Sequence, residues 1–393
     1  MNGRSLRLGY IPLVDAAPLF IADTLGFAEQ EGLHLSLHPA PSWSALRDML
    51  AMGAVEAAQM LAPVPVAGAL GLGGNPAQFD ALQLLNANGD VIGVSQPLAE
   101  KMRAAGFGFD FADAYRAGQA LLAAAGGRLR IGVPFPFSMH AELVHYWLEN
   151  LGQPLPETLE IRTVPPPLMA AALKADEIDA FAVGEPWGSH SVEQGVGTLL
   201  LPGTAIWAFA PEKVLAVRRG WADDNPDLAG RLMRAIWRAC RWLGAPENRF
   251  LVSDILSGPD RLPISAEIID RALSGRMIIS QGGEERDVPG LIEFFSGAAT
   301  FPWRSQAAWI GAHLALRNGL DPVQAAQAAG QVFRADLYRL HLRNAGADLP
   351  GASEKLEGAL HAPTAVASER GRMILPADEF FDRRIFDPAA VQR

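Results

Sequence analysis

Few residues of this chain lie in patterns typical of catalysis or metal binding, and they are widely spaced. The single cysteine, Cys240, lies in the amphipathic segment RAIWRACRWL, where we expect a buried, inert thiol. One cysteine allows neither an intramolecular disulfide nor a thiolate metal cluster. The glycines of residues 71–74 are not followed by a Walker lysine, and no Ser/His/Asp elbow or His-rich metal spacing is found. The sequence therefore indicates a binding protein without a cofactor, rather than an enzyme.

A ligand cleft is predicted at the stretch TVPPPLMAAALKADEIDAFAVGEPW, residues 163–187. Apolar residues at helical spacing give residues 168–173 one buried face. The apolar run 178–183 is typical of a buried strand in a parallel sheet. The GEPW segment, 184–187, then breaks the pattern. Because ligands gather where the strands of an open α/β sheet end in loops, the cleft should lie beside the prolines and this segment.

The same pattern occurs twice in the chain. Residues 46–60 match part of the 163–187 stretch at an offset of 123 positions, with Glu56 opposite Asp179. The same offset pairs the strand-like segments LRLG, residues 6–9, and LRIG, residues 129–132. Two matches at one offset predict two similarly built lobes.

The amino-acid composition limits the kinds of molecule that the protein could bind. The chain has 393 residues, 49% hydrophobic and 19% charged, with 33 basic and 43 acidic side chains and a net charge of −10. This balance argues against direct nucleic-acid contact and against an anionic membrane surface, although it permits a local basic pocket. The sequence has no uninterrupted apolar run of 18 residues, so no membrane-spanning helix is expected. The N-terminal segment lacks the apolar core of a secretory signal. With Met1 as the native start, the sequence predicts a cytoplasmic protein.

The order of predicted elements gives an α/β fold with two lobes. We expect residues 1–94 and 213–340 to form one discontinuous lobe and residues 95–212 the other. Residues 341–393 should form a tail that packs back on the body. Three side chains are predicted to cap the helices that follow predicted strands: Asp15, Ser42 and Ser138.

The chain resembles the solute-binding proteins of nitrate and bicarbonate ABC transporters. The segments that carry the resemblance run in family order along nearly the whole chain: LGYIPLVDAAPLFIADTLGFAEQEGL, SWSALRD, MLAPVPV, NGDVIGVS, FSMHAELVHYWL, VPPPLMAAALKADEIDAFAVGEPW, PEKVL and DLYR. The resemblance implies the type-2 periplasmic-binding-protein fold, with an interlobe ligand cleft. The chain lacks a leader and a lipid-attachment cysteine, and it is shorter near residues 53–60. In these respects it is more similar to the cytoplasmic nitrate/nitrite sensor branch.

The resemblance also implies a binding site for a small oxyanion. The positions that match Trp43, His140, Pro166 and Lys213 lie at the anion in the family. Helix N-termini offer N–H donors and positive potential, while Lys213 could add a full charge and His140 a ring N–H. Without the resemblance, a surface pair for Lys213, an exposed His140 and a core position for Trp43 remain open alternatives.

Asp90 departs from the family pattern. The transported relatives place an amide side chain at this position of the NGDVIGVS match, and a carboxylate that faces an anion would repel it. Either Asp90 points away from the ligand, or it is neutral, or the preferred ligand is not nitrate.

The resemblance implies a cytoplasmic sensor of nitrate or nitrite that holds an RNA-binding antiterminator protein inactive until the anion binds. The alternative is the exported substrate-binding component of a nitrate/bicarbonate-type ABC transporter. The same fold also includes pyrimidine synthases with a cysteine-rich motif and desulfinases with a nucleophilic cysteine, which Cys240 does not match.

Overall fold

The computed structural model describes residues 4–259 and 261–391, so residues 1–3 and 260 of the predicted lobe and residues 392–393 of the predicted tail lie outside the described residues. The strands of the described chain are β1 (Arg4–Tyr10), β2 (Leu33–Pro39), β3 (Ala57–Leu61), β4 (Phe79–Asn88), β5 (Asp90–Ser95), β6 (Arg128–Val133), β7 (Thr158–Thr163), β8 (Ala180–Gly184), β9 (Gly197–Pro202), β10 (Pro211–Arg218), β11 (Arg276–Ile278), β12 (Glu285–Asp287), β13 (Ile292–Glu293), β14 (Thr364–Ser368) and β15 (Gly371–Leu375).

The helices surround these strands. They are α1 (Ala17–Thr24), α2 (Phe27–Gln30), α3 (Trp43–Ala51), α4 (Pro63–Ala69), α5 (Gln96–Ala104), α6 (Ala114–Ala125), α7 (Met139–Glu149), α8 (Met169–Lys174), α9 (Trp187–Glu193), α10 (Trp221–Asp224), α11 (Pro226–Leu243), α12 (Arg249–Leu256), α13 (Ala266–Ser274), α14 (Arg304–Asn318), α15 (Pro322–Gly330) and α16 (Ala335–Leu342). Among the described helices, none is both long enough and apolar enough to cross a membrane.

Two mixed sheets form the centre of the protein. The six-stranded sheet has the order β13-β4-β10-β3-β1-β2, and the five-stranded sheet has the order β7-β6-β8-β5-β9. In the first sheet β1 runs parallel to β2 and β3, whereas β10 runs antiparallel to β3 and β4. In the second, β6 runs parallel to β7 and β8, whereas β5 runs antiparallel to β8 and β9. The two sheets share one plan, which confirms the repeat expected from the sequence.

The repeat extends to one side-chain contact. The backbone N–H of Arg7 in β1 donates to the Glu56 carboxylate at 2.8 Å, and that of Arg130 in β6 donates to Asp179 at 2.8 Å. Each arginine side chain also pairs with the same carboxylate. The two carboxylates therefore close equivalent turns, each just before the central strand of its sheet.

The chain crosses between the sheets at Gly89. Strand β4 ends at Asn88 in the first sheet, and β5 begins at Asp90 in the second. Gly89 has a φ of 111°, which a residue with a Cβ rarely adopts. The change of sheet thus falls before the predicted lobe boundary at residue 94. The lobe division itself stays a prediction.

The three predicted helix caps had different outcomes. Ser42 Oγ accepts a hydrogen bond from Ala45 N at 3.2 Å, and Ser138 Oγ accepts one from Ala141 N at 3.1 Å, as expected. Asp15 caps no helix, so that prediction was wrong. Its carboxylate instead contacts the buried Lys213 ammonium, a full charge that outcompetes a backbone N–H group.

The C-terminal region contains more structure than its loop-rich sequence indicates. Strands β14 and β15 form an antiparallel hairpin between residues 364 and 375. Further on, Tyr146 in α7 donates a hydrogen bond to Asp382 at 2.8 Å. Phe380 packs against the rings of Trp207 and Trp309. These contacts join the end of the described chain to helices α7 and α14.

Candidate functional site

A buried group of polar side chains lies where the two sheets meet. We call it the junction cluster, and its members are Asp15, Trp43, Gln59, Asp90, His140, Glu212 and Lys213. The first sheet and its loops supply Asp15, Gln59, Glu212 and Lys213, and helix α3 supplies Trp43. The second sheet supplies Asp90, and α7 supplies His140. Side chains from both halves of the fold therefore meet at one point, between the sheets.

Lys213 is the central cation of the cluster. Its side chain is 0% exposed, and its ammonium lies 2.8 Å from Asp15 and also contacts Glu212. Neighbouring residues on a strand normally point to opposite faces, but the pairing of β10 with β4 shifts register on both sides of Lys213. This irregularity accompanies the contact between Glu212 and Lys213. The carboxylates keep the pKa of Lys213 above its usual value although burial opposes this, so the lysine stays charged.

His140 is neutral near pH 7. It occupies the first turn of α7, directly after the capping Ser138, and its side chain is 1% exposed. Burial lowers its pKa to about 4. Its Nε2 lies 2.8 Å from Asp90 Oδ1, but neither ring nitrogen has a well-aligned hydrogen bond within the described residues. A neutral imidazole with one N–H is thus left available to a ligand.

Asp90 and Glu212 are carboxyls with elevated pKa values. Burial raises the pKa of Asp90 to about 6. Burial, and then the neighbouring Asp90 charge, raise the pKa of Glu212 to about 8. The two groups face each other beside His140, and two like charges this close resist full ionisation.

Trp43 gives the cluster an aromatic wall. It is the first residue of α3 and is 1% exposed, and the Lys213 ammonium lies 5.6 Å from the centre of its ring. Its indole N–H has no hydrogen-bond partner in the described part of the chain. Because Trp43 and His140 belong to first helical turns, the positive ends of α3 and α7 both lie beside the cluster.

The structure brings together four of the five predicted site residues: Trp43, Asp90, His140 and Lys213. Pro166 is buried at the start of the 3-10 turn Pro166–Leu168, after β7. The contacts that join the cluster do not include it.

Sequence reasoning missed three members of the cluster. Asp15 was interpreted as a helix cap, and Glu212 as the partner of Lys213 in a possible surface pair. Gln59 was not considered, although a polar residue within the buried run AAQML is a usable signal. Its amide donates to Asp15, and its carbonyl oxygen accepts from Ile11 N at 2.9 Å. Gln59 therefore fixes the Asp15 carboxylate that faces Lys213.

The GEPW segment joins the two halves of the fold beside the cluster. Val14 N donates to the Glu185 carbonyl at 3.1 Å, and the Trp187 indole donates to the Pro12 carbonyl at 3.0 Å. A Cβ on Gly184 would lie 3.6 Å from both the Asp15 carboxylate and the His140 ring. The segment thus closes the cluster from the side of the second sheet.

Among the described residues, one group could offer several ligand atoms to a metal ion. It consists of Asp90, His140 and Glu212, and one potential ligand atom from each lies within 4.8 Å of the others. The Lys213 ammonium already contacts the Glu212 carboxylate, however. The cluster supplies one fixed cation, two N–H donors and several carboxyls. This arrangement can hold a small polar ligand, and its chemistry does not identify it as a metal centre.

The raised carboxyl pKa values predict that stability falls between pH 6.5 and 8. Burial raises the pKa of Glu212 to about 8 and that of Glu185 to about 7. In this pH range both groups keep a proton in the folded state that the unfolded chain has already lost. Burial lowers the pKa values of His140 and His313 to about 4. These two groups make stability increase with pH, but only below about pH 6.5. The free energy of unfolding should therefore decrease as pH rises, by at most about 1.4 kcal/mol per pH unit for each proton. Urea denaturation of the wild type and Glu212→Gln checks this. A flat wild-type profile, or an unchanged slope in the variant, would contradict these protonation states.

Comparisons with known proteins agree with this architecture. The model of the NMT1-like family matches residues 1–257. The nitrate/nitrite binding protein NrtA of Synechococcus elongatus is 30% identical over 366 residues, which cover 90% of this chain and 81% of that protein. NrtA of Nostoc sp. is 29% identical over 391 residues, covering 97% and 82% of the two chains.

Two further similarities define the extent of the match. The chain is 31% identical to the nitrate import ATP-binding protein NrtC of Synechocystis sp. over 352 residues, covering 88% of this chain but about half, 51%, of that longer protein. The crystal structure of the periplasmic nitrate-binding protein NrtA from Synechocystis PCC 6803 superposes with a TM-score of 0.83 at 26% identity, covering 98% and 96% of the two chains.

These matches confirm the type-2 periplasmic-binding-protein fold that the sequence predicted. The relatives are named as binding and import proteins. The chain belongs to the NMT1-like family and, within it, to the solute-binding proteins related to nitrate and bicarbonate transporters.

Proposed function

We propose that this chain is a non-enzymatic binding protein for a nitrate-sized oxyanion, nitrate or nitrite, held between the two sheets. The observation that carries the proposal is the fully buried Lys213 ammonium, which lies beside the unpartnered indole N–H of Trp43 and near a His140 ring that makes no well-aligned hydrogen bond within the described residues. Buried polar groups almost always have partners, so groups without one require an explanation, and a ligand is one. Similarity to proteins named for nitrate and nitrite binding supports the same conclusion.

The roles follow from the chemistry of the ligand. Nitrate spreads one negative charge over three acceptor oxygens, so a dry site must offer a cation and several donors. Lys213 supplies the charge, His140 and Trp43 supply ring N–H groups, and the first turns of α3 and α7 add positive potential. Pro166 cannot add a backbone donor, because residues 165–167 are prolines and the N–H groups of Val164 and Leu168 already donate to the carbonyls of Val133 and Pro165. Asp90 faces the ligand and is discussed separately below.

Calorimetric titration tests this function. The protein, freed of metals by a chelator, is titrated with nitrate, nitrite, hydrogencarbonate and sulfate at pH 6.5. We expect saturable binding of nitrate or nitrite at one site per chain, with no binding of sulfate because its second charge is not matched by a second cation. If neither nitrate nor nitrite binds, the proposed function is wrong.

We infer that anion binding serves as a signal inside the cytoplasm. The ligand-free protein holds an RNA-binding antiterminator protein, and closure of the lobes on the anion releases it. The shorter segment near residues 53–60, in which the chain is more similar to the sensor branch, supports this use, and the net charge of −10 suits a protein partner better than direct RNA contact. A shift from about 1:99 to 99:1 requires roughly 10⁴-fold different affinities of the anion for the open and closed forms. By reciprocity, the partner must lower anion affinity by the factor by which the anion lowers partner affinity.

The alternative use is the exported substrate-binding component of an ABC transporter, with which the names of the relatives agree equally well. Capture of partners from the native cytoplasm, with and without nitrate, separates the two. The sensor predicts an RNA-binding partner that nitrate releases. A partner retained equally in both conditions, or a native protein found only outside the cytoplasm, would contradict the sensor and favour the transporter component.

A further inference from the structure

The junction cluster carries more negative charge than an anion site needs. Asp15 lies 2.8 Å from Lys213 and neutralises its charge. Glu212 keeps its proton at pH 7 because its pKa is about 8, so an ionised Asp90 is the remaining charge, and His140 beside it is neutral because burial lowers its pKa to about 4. An anion added to this group without any other change would place a further negative charge in a site shielded from water. Such a charge is unfavourable at low dielectric unless a cation or a proton compensates for it.

Asp90 is the residue that creates this conflict. An amide at this position would offer an N–H donor, whereas an ionised carboxylate offers only acceptors. Its two oxygens are buried, one lies 2.8 Å from His140 Nε2, and the carboxyl shares a hydrogen bond with the Glu212 carboxyl. A protonated Asp90 would instead present an O–H donor toward the ligand.

We propose that the site takes up its oxyanion together with one proton from solvent, and that Asp90 is the specificity-determining residue that makes this proton necessary. The inference rests on the proposed function. The proton binds to a carboxyl oxygen of Asp90, which becomes a donor to the anion, and no covalent bond of the ligand changes. Anion and proton thus enter the closed site as a neutral pair.

The groups that face Asp90 support this placement of the proton. Strand β10 contributes Glu212 and Lys213, α7 contributes His140, and the turn after β1 contributes Asp15. On the neighbouring strand, Asp90 is paired with Gly184, which carries no charge.

Two neighbours on other elements have other partners or carry no charge. The carboxylate of Glu185, which follows Gly184, accepts from Ser189 N at 3.2 Å, within the GEPW segment and α9. The turn after β9 places Gly203 against the Cβ of Asp90, without a charge. Because burial already raises the pKa of Asp90 to about 6, a nearby anion needs to raise it only modestly further for the group to be neutral at pH 7.

The test is nitrate titration by calorimetry between pH 6.5 and 8.5, in pairs of buffers with different ionisation enthalpies, on metal-free protein. For the wild type we expect uptake of about one proton per nitrate and a Kd that weakens about tenfold per pH unit above pH 7. In Asp90→Asn, an amide donor replaces the protonated carboxyl at equal size. Its proton uptake should fall below half of the wild-type value, and its nitrate affinity at pH 8 should exceed that of the wild type at least tenfold.

The matched control is Asp287→Asn, a substitution of an exposed aspartate in β12 that should behave as wild type. Nitrate binding by the wild type with no proton uptake and no pH dependence would overturn this inference and leave the proposed function intact. Undiminished proton uptake in Asp90→Asn would overturn the role of Asp90. Absence of nitrate and nitrite binding in both proteins would overturn the inference and the proposed function together.

Discussion

Replacing Lys213 with methionine is expected to weaken nitrate binding by about 1.5–3 kcal/mol, or roughly 10- to 150-fold, the usual scale for a hydrogen bond to a charged group. Methionine keeps the length of the side chain but removes the only lysine or arginine of the junction cluster. The free energy of unfolding should also fall, by about 3–5 kcal/mol at pH 8, because Asp15 and Glu212 lose their buried counter-charge.

The pH dependence of the stability of Lys213→Met distinguishes the loss of a buried charge from a simple loss of packing. Burial already raises the pKa values of Asp90 and Glu212 in the folded protein, and without the ammonium these values rise further above those of the unfolded chain. Stability is therefore lost as pH rises and largely restored near pH 5, where these groups are protonated in the folded state. Urea denaturation at pH 5 and pH 8 measures both values. Lys101→Met, at an exposed position in α5, is the matched control. Equal destabilisation of Lys213→Met at both pH values would contradict the charge argument.

Replacing Arg317 with methionine is expected to cost about 3–5 kcal/mol of stability, the scale for breaking a buried ion pair. The Arg317 guanidinium contacts Glu142, whose side chain is 0% exposed, and it joins α14 to the first turns of α7. Burial raises the pKa of Glu142 while Arg317 lowers it. Loss of the arginine leaves a carboxylate with no counter-charge two residues from His140, so nitrate affinity should fall as well.

Arg343→Met is the matched control for Arg317→Met. Arg343 also pairs with a glutamate, Glu369, at 2.7 Å, but its side chain is 58% exposed, and exposed pairs add little to stability. Chemical denaturation at pH 7 should show a large decrease for Arg317→Met and no measurable change for Arg343→Met. Similar stabilities of the two variants would mean that the Glu142 contact does not support α7.

Much of the fold could be predicted because it depends on local patterns. The 123-position repeat predicted two similar sheets, and the serines at positions 42 and 138 marked where α3 and α7 begin. The change of sheet at Gly89 was not predicted, since a single glycine between two apolar strands gives a weaker signal than the change in composition that follows residue 95. The β14–β15 hairpin was missed because only Leu375 among its strand residues is buried, so the hairpin lacks an apolar face.

The candidate site was harder to predict because its chemistry arises from contacts between distant residues. Lys213 and His140 are ordinary residues in the sequence, and only the family resemblance singled them out. Asp15 and Glu212 lie in segments that carry the resemblance, yet each had a simpler local explanation, as a helix cap and as a surface partner. Burial of both beside Lys213 depends on the meeting of two sheets, which no local pattern describes. The effect of Asp90 likewise depends on its distance from His140 and Glu212.

A crystal structure of the wild-type protein grown with nitrate at pH 6.5 tests the central claim most directly. We expect one planar, three-oxygen density between the two sheets, within hydrogen-bond distance of the Lys213 ammonium and of the N–H groups of His140 and Trp43. A protein that binds nitrate in solution but shows the junction cluster without this density, or with nitrate held elsewhere, would contradict the account.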